Sequence, residues 1–124
     1  MSKKILIIDD DENHRAIYKT SIEAFLEQDV DVLEASNTED GLRIIEEQSP
    51  DAIVLDNQLP NGTGFRLLYD LDVKMPGHPP VIFLSAAMTS ELSRNAKALG
   101  AVACIQKTDL QPEELARLIE QMTD

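Results

Sequence analysis

Four short apolar runs of this 124-residue chain lead into polar residues able to do chemistry. Ile5–Ile8 runs into Asp9, Asp10 and Asp11, and Ala52–Leu55 into Asp56. Val81–Leu84 runs into Ser85, and Ala101–Ile105 leads through Gln106 to Lys107. Carboxylates forced together repel, so they either shift their pKa values or bind a cation. Oxygen-only ligands favour a hard ion, and Mg2+ takes one or two carboxylates together with waters and phosphate oxygens. A carboxylate is also a nucleophile towards a phosphoryl group. A lysine ammonium offsets charge on the phosphoryl oxygens, and a hydroxyl donates a hydrogen bond to them. Carboxylates, lysine and hydroxyl on neighbouring strand ends therefore form a phosphoryl-transfer set that needs no histidine or cysteine ligand.

Each residue has a plainer role to weigh beside this one. An isolated aspartate at a strand end is usually a solvated loop residue or a helix cap; joint convergence sets Asp9, Asp10 and Asp56 apart. Asp11 and Glu12 read as solvated acids at the start of the first helix. Ser85 alone is a turn hydroxyl, and Lys107 alone a surface lysine, although it ends an otherwise apolar strand. Gly62 and Gly64 carry no phosphate-cradling fingerprint and let the chain turn into the third helix. His14 reads as a solvated helix side chain and His78 as a loop residue, since neither has a partner at metal-binding spacing. Cys104 is most simply a small core or strand residue, with no flanking base to activate its thiol.

The elements that must position these residues alternate in kind. Apolar runs at Ile5–Ile8, Val30–Leu33, Ala52–Leu55, Val81–Leu84 and Ala101–Ile105 suit parallel strands buried on both faces. Between or after them, Leu67, Leu68 and Leu71 share a helical face, as do Leu92, Ala96 and Leu99, and Leu115, Leu118, Ile119 and Met122. Asn37 and Thr38 are good N-caps for a helix to about Gln48, which Ser49-Pro50-Asp51 stops. Gly100 suits a helix C-terminus, Met75 to Pro80 is a turn-rich connection, and Pro112 can open a last helix. The order is (βα)5 in a single domain, residues 1–124: an α/β, doubly wound, five-stranded parallel sheet with helices on both sides. In such a sheet the functional crevice lies beyond the carboxyl ends of the strands, where the polar set falls.

Composition bounds the function further. Hydrophobic residues make up 43% and charged residues 27%, an ordinary globular balance. The single cysteine excludes an internal disulfide and, with no signal-peptide pattern at the start, points to a cytoplasmic protein. No run approaches the roughly 18 apolar residues that span a bilayer. The net charge of -12 and pI of about 4.4 disfavour direct nucleic acid and anionic membrane binding. Residues 1–62 hold 5 basic and 15 acidic side chains, net -10, against 6 and 8, net -2, in residues 63–124.

The sequence closely resembles the receiver domains of two-component response regulators, in particular stand-alone, chemotaxis-regulator-like ones. The matching pieces are Ile-Leu-Ile-Ile-Asp9-Asp10-Asp11, Asp56-Asn-Gln-Leu59-Pro60-Asn-Gly-Thr-Gly64, Leu84-Ser85-Ala86, Gly100-Ala101 and Lys107. Together they cover the chain from Lys3 to about Met122. The resemblance implies a flavodoxin-like receiver fold with Asp56 as phospho-acceptor. It implies Mg2+ (or Mn2+) on Asp9, Asp10, Asp56 and the backbone carbonyl of Gln58. Ser85 is then the switch hydroxyl and Lys107 its cationic partner. The implied donor is a phosphohistidine on a histidine kinase or phosphotransfer protein. The domain itself catalyses transfer, and water slowly removes the phosphoryl group. With no output domain in the sequence, the signal is expected to pass to a downstream effector protein, or through an output domain lost or excised from a longer regulator.

Two departures from the family matter. Proline, commonly after a cis peptide, usually follows the lysine; here Thr108 and Asp109 do. A non-proline cis bond costs about 2.5–4 kcal/mol, so a trans peptide is expected. Cys104 stands at a possible switch position where the family commonly has Tyr or Phe, and a thiol is too small to act as that lever. Gln58 and Ala87 flank the path of attacking water without a carboxylate to orient it, which implies a long-lived phosphoaspartate.

Other functions compete. Asp9-x-Asp11 after a strand resembles the nucleophile motif of haloacid-dehalogenase-type phosphatases, but leaves Asp56 to Gly64 unexplained. A phosphorylation-independent docking module fits the unusual Cys104 and Thr108, yet gives no reason to keep clustered carboxylates. A flavodoxin-like cofactor binder would need an anion loop that is absent.

Overall fold

The structure, a computed structural model, describes residues 2–123. Strands β1 (Lys3–Ile8), β2 (Val30–Ala35), β3 (Ala52–Asp56), β6 (Val81–Ser85) and β7 (Ala101–Gln106) form one parallel sheet in the order β2-β1-β3-β6-β7. Two-residue strands β4 (Gln58–Leu59) and β5 (Gly62–Thr63) pair antiparallel as a separate hairpin just past Asp56. Five helices accompany them: α1 (Glu12–Phe25), α2 (Thr38–Gln48), α3 (Gly64–Lys74), α4 (Ser90–Ala98) and α5 (Pro112–Thr123). The (βα)5 order and doubly wound sheet expected from the sequence are therefore present. Each sheet strand extends one or two residues beyond its apolar run.

Side-chain alternation along the strands divides the core into two layers. Leu6, Ile8, Ile53, Leu55 and Phe83 face α2, α3 and α4, which supply Ile45, Leu67, Leu68, Leu71 and Ala96. Ile5, Ile7, Val54, Ile82 and Leu84 face α1 and α5, which supply Tyr18, Ile22, Leu115 and Ile119. Ile5 to Ile8 have no exposed surface, as two-sided burial of β1 requires. Each such side chain contributes about 1.5–3 kcal/mol on burial, so the strands that end at the polar set are held rigidly.

The chain turns where its residue types allow. Asn37 caps α2 by accepting from the Asp40 N–H at 2.8 Å, and Ser49 ends that helix in the left-handed region at φ 49°. Pro60 followed by Asn61 at φ 62° makes the tight turn between β4 and β5. That hairpin does not follow from the sequence pattern, because two-residue strands carry no periodicity. Gly100 lies at φ 101°, just past the end of α4.

His78 is a loop residue, as expected, and it also bridges two segments. Its ring nitrogens lie 2.7 Å from the Pro79 carbonyl oxygen and 3.0 Å from that of Leu99, tying the α3–β6 connection to the end of α4. The β6–β7 register slips between Val81 and Ile82, which pair with Ala101 and Ala103. This bulge leaves Val102 exposed and sets Gln106 opposite Ser85. No helix among the described residues is long and apolar enough to cross a membrane.

Candidate functional site

Asp9 follows β1, Asp56 ends β3, Ser85 ends β6 and Lys107 follows β7, so all four reach the carboxyl edge of the sheet. Asp9 and Asp56 are 1% and 3% exposed, far below what a solvated loop acid shows, while Asp10 is exposed. One carboxylate oxygen from each of Asp9, Asp10 and Asp56 falls within 4.8 Å of the others. The convergence expected of these three is thus present.

The two buried acids differ in what remains free. Asp9 Oδ1 accepts from the Asp11 N–H at 2.9 Å, and Asp9 Oδ2 from Lys107 Nζ at 3.0 Å. Asp56 Oδ2 accepts from Lys107 Nζ at 3.1 Å, but Asp56 Oδ1 is buried with no hydrogen-bond partner. An unpartnered buried carboxylate oxygen is costly, and a cation or phosphoryl centre is what would relieve it. This orphan and the all-oxygen donor set fit a hard divalent ion. Gln58, whose carbonyl the resemblance adds as a ligand, is exposed in β4, two residues past Asp56.

Electrostatics agree with the geometry. Burial, and secondarily the Asp9 charge, push the Asp56 carboxyl above the ordinary aspartate range against the pull of Lys107. Burial works against the charge of Lys107, but its hydrogen bond to Asp9 and the charge and hydrogen bond of Asp56 outweigh this and raise its pKa. Lys107 is a site cation, not a surface lysine. At Asp11 desolvation is the largest single effect, but the Asn13 and His14 N–H groups and the nearby positive charge together outweigh it and lower its pKa. Asp11 is the N-cap of α1.

Ser85 is buried, and its Oγ accepts from the Ala87 N–H at 3.1 Å. That turn role leaves the hydroxyl proton for another acceptor. Cys104 lies in β7 on the α4 side, half-buried, with Sγ 3.7 Å from the Ser93 carbonyl oxygen. Burial pushes its thiol pKa up, away from redox reactivity. The Lys107–Thr108 peptide is trans, as all described peptides are, and Lys107–Asp109 forms a single 3-10 turn.

Several supporting residues escape a reading by strand ends. Gln106 Oε1 accepts from the Met88 N–H at 2.8 Å while its Nε2 donates to the Ala86 carbonyl at 2.7 Å, clasping the β6–α4 loop. Arg15 donates through Nη1 to the Asp9 carbonyl at 2.7 Å and through Nε to Glu34 at 3.0 Å. Asn57 caps the start of α3 through Phe65, and its carbonyl accepts from the Gly64 N–H at 2.8 Å. A Cβ on Gly64 would lie 2.2 Å from the Asp56 carbonyl oxygen, so only glycine allows α3 to start there. His14 keeps a 43% exposed side chain on α1, as a solvated helix residue would, but its Nδ1 also lies 2.9 Å from Lys107 Nζ. A polar residue one turn into the helix after the acid run was the available signal. An apolar cleft lined by Ile17, Tyr18, Ala86, Leu110 and Pro112 opens beside Lys107.

Comparison with known proteins converges on one family. The response regulator receiver domain model matches residues 5–120. The chain is 31% identical over 108 residues to protein-glutamate methylesterase/protein-glutamine glutaminase 2 of Nitratidesulfovibrio vulgaris, covering 83% of this chain but 28% of that protein. It therefore spans under a third of that relative's length. Sporulation initiation phosphotransferase F of Bacillus subtilis is 28% identical over 107 residues, covering 86% of this chain and 83% of that one. The receiver domain of the Francisella response regulator 1452 superposes with a TM-score of 0.87 at 27% identity, covering 98% of this chain and 97% of that one. This chain belongs to the response regulator receiver domain family of two-component signal transduction, homologous to phosphorylatable receivers.

Proposed function

We propose that Asp56 accepts a phosphoryl group from a phosphohistidine on a histidine kinase or phosphotransfer protein, in a reaction that depends on Mg2+ or Mn2+. The observation that carries this reading is the buried Asp56 carboxylate, held through Oδ2 by Lys107 and unpartnered at Oδ1. Both oxygens of Asp9 are engaged, which favours Asp56 over Asp9 as nucleophile and counts against the phosphatase reading. Asp9, Asp10 and Asp56, with the Gln58 backbone carbonyl, would hold the divalent ion. When bound, the ion supplies positive charge against the carboxylates and the phosphoryl oxygens.

The chain's own groups account for the rest. Asp56 Oδ1 bonds to phosphorus while the P–N bond of the donor breaks and its electron pair leaves with the imidazole. Lys107 moves an N–H from a carboxylate oxygen to a phosphoryl oxygen, and the Ser85 hydroxyl donates to another. Ser85 Oγ accepts from the Ala87 N–H with its lone pair, so donating its own proton to a phosphoryl oxygen would couple that oxygen to the loop that Gln106 clasps. Cys104, at the possible switch position, meets α4 through a weak contact at the Ser93 carbonyl and is too small to act as a lever. The apolar cleft beside Lys107 suits the helical surface of a phosphodonor protein. The output then passes to a downstream effector, in the cytoplasm.

Intact-protein mass spectrometry after incubation with Mg2+ and acetyl phosphate tests the reading. A single phosphoryl adduct, absent with chelator and absent in Asp56→Asn, is the expected result. No adduct from either acetyl phosphate or a panel of phosphorylated histidine kinases would leave the docking-module reading in its place.

A further inference from the structure

We propose that His14 is a positioning residue for this reaction: its imidazole Nδ1 is the third acceptor of the Lys107 ammonium and keeps that ammonium over Asp56. The inference rests on the Asp56 reading above.

An ammonium has three protons to donate, and Lys107 Nζ has three acceptors. They are His14 Nδ1 at 2.9 Å, Asp9 Oδ2 at 3.0 Å and Asp56 Oδ2 at 3.1 Å. Because Lys107 keeps its charge between two carboxylates, Nδ1 has to be the bare, accepting nitrogen, and the ring proton sits on Nε2. That nitrogen faces Asp11 Oδ2 at 3.5 Å, the correct polarity for a donor. Asp11 is in turn fixed as the N-cap of α1 through the Asn13 N–H at 2.8 Å and the His14 N–H at 3.3 Å. The helix cap thus fixes Asp11, the imidazole presents Nε2 towards it, and Nδ1 holds the lysine.

Lys107 needs such a hold. It leaves β7 into a short 3-10 turn, followed by Thr108 with no proline to stiffen the path. Its four-carbon stem carries several free torsions, and side chains of this type lose roughly 2 kcal/mol of rotamer freedom when fixed. Asp9 and Asp56 together supply only two acceptors on one side. With His14 and Asp9 each retaining a proton, the proton on Asp56 Oδ2 is the one released to a phosphoryl oxygen. The lysine then moves by one hydrogen bond without leaving the site.

The test compares rates of adduct formation with Mg2+ and acetyl phosphate, in mildly alkaline buffer. It uses wild type, His14→Ala, His14→Gln, Lys107→Ala and the His14→Ala/Lys107→Ala double variant. His14→Ala is expected to slow phosphorylation about three- to tenfold, the worth of one such hydrogen bond at a partly exposed site. His14→Gln, whose amide oxygen can accept from Lys107, should recover most of the rate. In the Lys107→Ala background the loss of His14 should have no further effect, because its influence runs through the lysine. An unchanged rate in His14→Ala, or an equal loss added to that of Lys107→Ala, overturns the proposal. The imidazole 15N shifts of His14 read the same arrangement without any turnover: a bare Nδ1 and protonated Nε2 are expected, and the opposite tautomer refutes it. If wild type takes no phosphoryl group from any donor, it is the Asp56 reading that fails; if wild type is modified and His14→Ala matches it, only the role of His14 falls.

Discussion

Lys107→Met removes one ammonium from between two buried carboxylates and leaves an apolar stem of similar length. Asp9 and Asp56 are 1% and 3% exposed, and Nζ lies 3.0 and 3.1 Å from their oxygens. The lysine side chain is itself only 13% exposed, so solvent cannot take its place cheaply. Breaking a buried pair by removing one partner typically costs about 3–5 kcal/mol. Domains of this size have about 5–15 kcal/mol in total, so the variant should be marginal in neutral buffer without divalent cations.

The pH dependence carries a definite sign. Asp56 already has a folded pKa above its unfolded value, which is near 3.9 for an ordinary aspartate. Such a carboxyl favours the folded state most below the unfolded value, and that contribution is lost as pH rises through the folded value. Without Lys107, whose charge and hydrogen bond hold it down, the folded value of Asp56 rises further. The destabilisation should therefore be small in acid and grow through the mildly acidic range to a plateau. A bound divalent cation should offset it, stabilising Lys107→Met by RT ln(1 + [L]/Kd). Urea unfolding of wild type and variant over a pH series, with and without Mg2+, measures all three effects. A loss below about 1 kcal/mol that does not vary with pH would place Lys107 among ordinary surface ion pairs and refute the argument.

Three further outcomes are expected. Gly64→Ala forces a Cβ to within 2.2 Å of the Asp56 carbonyl oxygen, so urea unfolding should show a loss of about 3 kcal/mol or more and adduct formation should slow as Asp56 shifts. Gly100→Ala meets both φ 101° and His78 Nε2 at 2.6 Å from the new Cβ; a loss of about 2–3 kcal/mol is expected, partly recovered in His78→Ala/Gly100→Ala, and additive losses would contradict the contact. Phosphoaspartate, once formed, should persist for minutes or longer, because exposed Gln58 and Ala87 offer no carboxylate to orient water; a half-life of seconds in Mg2+ would refute this.

The sheet and the acids were legible because both are written into consecutive residues. Five apolar runs marked the strands, and four of them lead into Asp9, Asp56, Ser85 and, past Gln106, Lys107. What the sequence hid depends on meetings between distant residues or on single-residue geometry. His14 and Lys107 are 93 positions apart, and His78 meets Leu99 across 21. Neither histidine has a neighbour in sequence that reveals its partner. The bulge at Val102 shifts the pairing of β7 by one residue, which no period-two pattern announces. Gln106, Arg15 and Asn57 act on backbone groups, and polar residues of that kind look the same in a sequence whether they grip a loop or face solvent.

Among the described residues, the buried side-chain oxygen left without a hydrogen-bond partner lies at one edge of the sheet. Two buried carboxylates share one ammonium, and Asp56 keeps an oxygen unpartnered, an arrangement that costs stability. It persists because β1, β3 and β6 are buried on both faces and cannot shift to separate the acids. The same arrangement would prepare the proposed phosphoryl transfer. Every proton of the Lys107 ammonium is already committed, so an arriving phosphoryl oxygen gains its hydrogen bond only by displacing an existing acceptor. The weakest claim belongs to Asp56, whose own charge is spent once its carboxylate becomes an acyl phosphate. Phosphorylation of Asp56 would therefore free the proton that the phosphoryl group requires, and the Lys107 ammonium would pass from one full set of acceptors to another.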